Sequence, residues 1–114
     1  MVKITIIYEG PNILGFKAEG HAGYDRQGRD IYCAGVSAIT GTALLGLQMH
    51  LVHPPLYEEK DGWLSCQLAS SSEAEEISRA QIILTTMEAG LRSLEEASPR
   101  YIKVMLGGAK YVQD

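Results

Sequence analysis

The chain has 114 residues, a hydrophobic fraction of 46% and a net charge of −4, with a sequence pI of about 5.3. That is one domain with room for its own core, and the even spread of apolar residues excludes a disordered chain. The acidic balance, with no Lys/Arg cluster, argues against a general nucleic-acid binder; two cysteines are too few for a disulfide framework; and no uninterrupted apolar run reaches the roughly 18–20 residues of a membrane span.

The opening "MVKITIIYEG" alternates β-branched and polar residues, so Val2, Ile4 and Ile6 share one face of a strand over 2–9. It lacks the long apolar stretch and small-residue cleavage site of a signal peptide, and the expected compartment is the cytoplasm, with both cysteines as free thiols. "GPN" at 10–12 is turn chemistry, and "ILGFKAEG" follows as a second strand with Leu14, Phe16 and Ala18 on a common face. Residues 21–29 have no periodicity and read as a polar, glycine-punctuated loop.

From Asp30 to about Leu51 the pattern is helical, with Asp30 as the expected N-cap. Gly35, Gly41 and Gly46 each cost roughly 1 kcal/mol of helix propensity against Ala. A helix that carries three of them is expected to pack closely against a neighbour or to serve a special site. "HPP" at 53–55 ends it. "LYEEK", Asp61-Gly62 and "WLSCQLA" read as a second hairpin, with Leu64, Cys66 and Leu68 on one face. Ser72 and Glu75 have capping-box spacing before a second helix. Ile77, Ala80, Leu84, Met87, Leu91 and Leu94 form its apolar stripe. Pro99 closes that helix, and "YIKVML" is a last strand. The order ββαββαβ predicts an α+β fold: a single-domain, two-layer sandwich over 1–114 with two helices on one face of a mixed or antiparallel sheet.

Chemistry concentrates in "GHAGYDRQGRDIYCAGVS", residues 20–37. With Asp30 as cap, Cys33 falls on the first helical turn. Unpaired N–H groups and a positive field there favour a thiolate and can hold an oxyanion. His21 ends the preceding strand, and a chain that returns as a helix can bring it beside Cys33 as general base and acid. Asp30 can orient His21, and Ser37 lies one turn after Cys33 on the same helix face. Each residue also has a plainer reading. Cys33 can be a small packed residue, His21 a structural or surface histidine, Asp30 only a cap and Ser37 only a helix residue.

Other constellations are weaker. His50 and His53, with Cys33, Cys66 or His21, can be imagined around zinc, but there is no Cys-x-x-Cys pair and no metal or cofactor is expected. Cys66, between Leu64 and Leu68, reads as an inert core thiol. Gly20, Gly23 and Gly28 do not match a dinucleotide loop or a P-loop.

The stretch resembles the signature of the ribosomal-processing cysteine protease family, Prp: Gly20-His21-Ala22, a short variable loop, then Gly28, Asp30, Ile31, Cys33, Ala34 and Ser37. Length, element order and the closing "YIKVML" fit the same family. Tyr32 departs from it, standing where a small aliphatic residue is expected, and Gly35 stands where Ala is frequent. The resemblance implies an endopeptidase, usually a homodimer, that removes a short N-terminal extension from large-subunit ribosomal protein L twenty-seven. It implies Cys33 as nucleophile and His21 as base, with supporting positions at Asp30 and Ser37. It also implies a substrate-gating loop over 22–29 that includes Ala22, Gly23, Tyr24 and Gly28. The expected partners are that ribosomal protein and a second copy of the chain, with no direct nucleic acid and no membrane. The alternative is a non-catalytic ribosome-associated assembly or binding protein in which Cys33 is structural.

Overall fold

The computed structural model describes residues 1–20 and 28–108, with side chains from residue 31 onward in the second stretch. Alternation builds the first hairpin. Strand β1 (Val2–Glu9) turns inward Val2, Ile4 and Ile6, all buried, and pairs antiparallel with β2 (Asn12–Glu19) through a tight turn with Gly10 at φ 59°. The register slips at Ile7/Tyr8, where Ile7 opposes Gly15 but Tyr8 opposes Ile13. Leu14 is therefore the extra residue of a bulge. Ile13, with no exposure at all, joins Phe16 and Ala18 in the core, while the expected inward residue, Leu14, is only partly buried. The bulge is sealed from the helix layer. The Gln81 side chain accepts the Ile13 N–H at 2.7 Å and donates to the Ile13 carbonyl at 2.9 Å.

Helix α1 (Gly28–His50) starts two residues before the expected cap. Asp30 is thus the third helical residue, where a carboxylate still suits the positive end of the helix and nothing in 28–30 obstructs the backbone hydrogen bonds. Beyond it come β3 (Leu56–Lys60), β4 (Trp63–Gln67), α2 (Ala74–Ala97) and β5 (Ile102–Gly107), the order expected. The sheet runs β3-β4-β2-β1-β5, with β1 and β5 parallel and every other neighbour antiparallel. Only one face of β1 is buried, and both helices cover that face.

One composition reading needs correction. Ile31–His50 is a 20-residue helical stretch of mean hydropathy 1.4 without a charged side chain, long and apolar enough by those measures to cross a membrane. Its scattered Gly, Ser and Thr break any apolar run but barely lower the average. In the fold one face of it joins the core: Val36, Ala43, Leu44 and Leu47 are buried, and Thr40 donates its hydroxyl to the Val36 carbonyl at 2.9 Å, while Ile31, Leu45 and Met49 are exposed.

Three glycines lie along the helix contact, and each leaves room for a methyl group at ordinary van der Waals distance. A Cβ on Gly35 would lie 3.4 Å from Leu94, one on Gly46 3.5 Å from Ile83, and one on Gly90 of α2 3.5 Å from Ile39. Gly41 faces open space instead. From α2, Ala80, Leu84, Met87 and Leu91 are buried, with Ile77 and Leu94 at the margins of the stripe.

The N-terminal cap of α2 forms one residue later than the Ser72/Glu75 reading. Glu73 is the N-cap, and Glu76 Oε1 accepts its N–H at 3.3 Å. Glu76 is only 5% exposed and wins because it also holds the chain between α1 and β3: its carboxylate accepts the His53 N–H and meets His53 Nδ1, both at 2.7 Å. Ser72 has its hydroxyl buried without a partner among the described residues.

Two expectations follow. The backbone and side chain of His53 lower the Glu76 pKa from 4.5 to about 2. The shift is downward in the folded state, so the contact stabilises the fold above about pH 4.5, and that stabilisation is lost as pH falls towards 2. The melting-temperature gap between native protein and Glu76→Gln should be widest above pH 5 and close near pH 2; a gap independent of pH would contradict it. Cys66 is 2% exposed, and burial raises its pKa to about 12. It should resist alkylation until the protein unfolds, which mass mapping of labelled native protein checks.

Candidate active site

Because β3 is exposed along its whole length, the sheet runs on past the helix layer at that end. Between α1 and the β3–β4 hairpin lies a cleft of about 900 Å³. One stripe of α1 forms its helical wall: Cys33, Ser37, Gly41, Leu44 and Gln48, spaced three or four residues apart. Tyr57, Glu59 and Trp63 lie on the opposite wall. Gly41, with open space where a Cβ would stand, keeps this wall flat one turn beyond Ser37.

Cys33 is half-buried and packs against the margin of the core while lining the cleft. It is the sixth residue of α1, in the second turn rather than the first. That corrects the sequence reading of its activation. The unpaired N–H groups of the helix belong to the first four residues, and the field of the terminus fades within the first turn. Ser37 is exposed one turn further on, as the spacing predicted.

The end of β2 reaches the same cleft. Gly20 lines it and donates its N–H to the Gly62 carbonyl at 3.1 Å. Its φ is +110°, and a Cβ there would stand in contact with the Met1 carbonyl, so only glycine fits. Gly20, the residue before His21, and Cys33 thus border one cavity. His21 itself, with Ala22, Gly23 and Tyr24, lies outside the described residues, as does the side chain of Asp30. Gly28 is helical and is not part of a loop.

Of the other sequence candidates, Cys66 is in the core and His53 is held by Glu76. Among the described residues no three His, Cys, Asp or Glu side chains gather as metal ligands. Tyr32 is accommodated by stacking on Tyr101 at the foot of β5, ring centroids 4.9 Å apart, away from the cleft lining. Sequence reasoning missed the hairpin wall, Tyr57, Glu59 and Trp63. Its only local signal is a strand whose residues are polar or amphipathic on both faces, the pattern of an edge.

Comparison with known proteins gives the fold and the thiol a context. The family model described as cysteine protease Prp matches residues 1–103. A Staphylococcus aureus protein named ribosomal processing cysteine protease Prp is 32% identical over 99 residues, covering 83% of this chain and 87% of the relative. A Bacillus subtilis protein of the same name is 29% identical over 85 residues, covering 73% and 76%. The crystal structure of the S. aureus protease Prp with a covalently linked product peptide superposes with a TM-score of 0.76 at 25% identity, covering 93% of this chain and 99% of that one. A Streptococcus mutans protein shares the fold, with a TM-score of 0.79 at 22% identity and 95% coverage of both chains. The match spans both walls of the cleft, Cys33 included: the chain belongs to the cysteine protease Prp family and is a cysteine protease.

Proposed function

We propose that this protease removes a short N-terminal extension from large-subunit ribosomal protein L twenty-seven, with Cys33 as nucleophile and His21 as general base. The observation that carries the assignment is the cleft itself. It presents the one described thiol outside the core, and Gly20 delivers the chain to its rim immediately before His21. The names of the S. aureus and B. subtilis relatives supply the ribosomal substrate.

In the reaction, His21 takes the proton of the Cys33 thiol, and Sγ attacks the scissile carbonyl carbon. The tetrahedral intermediate collapses as the C–N bond breaks and the imidazolium gives its proton to the departing amine. Water, deprotonated by His21, then attacks the thioester, releasing the acid product and restoring the thiol. With Cys33 in the second turn, the drive to form the thiolate falls on His21 rather than on the helix terminus. Asp30, one turn N-terminal to Cys33, is the residue to orient His21, and Ser37 is placed to hydrogen-bond the bound peptide. Ala22, Gly23 and Tyr24 form the gating segment, which now ends before Gly28. Glu19, Glu59 and Asp61 border the cleft against one lining cation, Lys60, and the net negative charge suits the basic chain of a ribosomal protein. The protease acts in the cytoplasm as a homodimer.

Cys33→Ala should keep the native melting temperature while lowering the cleavage rate of a peptide spanning the extension junction by roughly 10⁴-fold or more. Mass spectrometry of the digest reads the result. Cleavage that survives in Cys33→Ala contradicts the mechanism. Binding of the ribosomal protein without turnover by the native chain would favour the non-catalytic role.

A further inference from the structure

The edge of the sheet beside the cleft is built to take a strand. The β3–β4 hairpin closes on Lys60 opposite Trp63 across a two-residue turn. A closing pair at so short a turn is mutually hydrogen-bonded, and antiparallel pairs then alternate. Lys60, Glu58 and Leu56 therefore point their backbone groups inward at β4. Tyr57 and Glu59 point their N–H and C=O groups away from the sheet. The far side of β4 agrees with this parity: the Leu68 N–H goes to the Leu14 carbonyl of β2 at 2.8 Å.

The same two residues face the cleft with their side chains. Tyr57 opposes Cys66 and Glu59 opposes Leu64, both inward residues of β4, and Tyr57 and Glu59 both line the cavity that holds Cys33. No described side chain bonds to their outward backbone groups. The other edge of the sheet differs. On β5, Glu95 Oε2 accepts the Val104 N–H at 3.0 Å, so that edge is partly occupied.

We infer that the substrate binds as a sixth strand, its backbone paired with Tyr57 and Glu59 along the free edge of β3. Alternate substrate side chains then turn into the cleft towards α1. This rests on the proteolytic reading and specifies how that protease holds its peptide. From Cys33 to Gln48 the helical wall runs about 22 Å at 1.5 Å per residue, room for about six or seven residues of extended chain beside the five of β3. Glu59 and Asp61 flank the strand site with one cation between them, Lys60, held over the Trp63 ring; the net charge there is negative and favours basic side chains at the paired segment. Main-chain pairing of this kind supplies affinity with little demand on sequence, while the cleft reads every second residue.

The test is an N-methyl scan. A synthetic peptide spanning the extension junction is methylated at one backbone nitrogen at a time, and kcat/KM is measured with native enzyme. The expected result is alternation: on the paired segment, methylation at every second residue lowers kcat/KM by roughly fivefold or more, through KM, and the residues between are tolerated. A Glu59→Pro variant complements the scan. It removes an outward N–H and no ladder bond, so it should raise KM by a similar factor with far-UV dichroism unchanged. A cleaved parent peptide whose scan shows no alternation overturns the strand site and leaves the protease standing. A parent peptide that is not cleaved overturns the proteolytic reading, and the strand site with it.

Discussion

Twenty residues of α1, Ile31–His50, carry no charge, and the way that stretch covers part of its apolar surface shapes the rest of this molecule. One face goes down on the sheet through Val36, Ala43, Leu44 and Leu47. A second meets α2, where Gly35, Gly46 and Gly90 lie against Leu94, Ile83 and Ile39 with room for a methyl group at ordinary contact distance. With two faces fixed, a third is left to look across at the β3–β4 hairpin, and it carries Cys33, Ser37 and Gly41. The proposed nucleophile, Cys33, therefore sits on a packed helix rather than on a loop, half-buried at the margin of the core.

The hairpin wall is fixed by separate means. Glu76 caps α2 and grips His53, so the segment that leads from α1 into β3 is tied to the helix layer by a buried carboxylate. Gln81 does the same for the bulge of β2, and Gly20 is pinned between Met1 and Gly62 at the end of that strand. Each contact joins a polar side chain or a glycine to backbone, and together they set the two walls of the cleft against each other. The helices stop short of β3, and the uncovered strand leaves an open cleft at the end of the sheet.

Much of this was legible in the sequence. Period-two and period-3.6 patterns placed every strand and both helices, and the motif from Gly20 to Ser37 carried the family. The misreadings have local causes. Leu14 was read as inward because a bulge cannot be seen in one strand alone; it depends on how Tyr8 and Ile13 pair. The cap of α2 moved from Ser72 to Glu73 because Glu76 serves His53 as well, a partner more than twenty residues away. Cys33 moved from the first to the second turn because Asp30 is as acceptable within a first turn as before it. The topology brings the end of β2, at Gly20, and Cys33 to one cleft, but the opposite wall of Tyr57, Glu59 and Trp63 comes from tertiary packing that no motif announces.

The central claim is that Cys33 is the nucleophile of this cleft, and it is tested most directly by covalent capture. A junction peptide carrying a chloromethyl ketone in place of the scissile amide is incubated with native protein, and the adduct is mapped by mass spectrometry. One adduct per chain on Cys33, forming far faster than with a chloromethyl ketone of scrambled sequence and slowed in His21→Ala, is the result predicted. Modification of Cys66, or labelling of Cys33 at the same rate by both peptides, would contradict it.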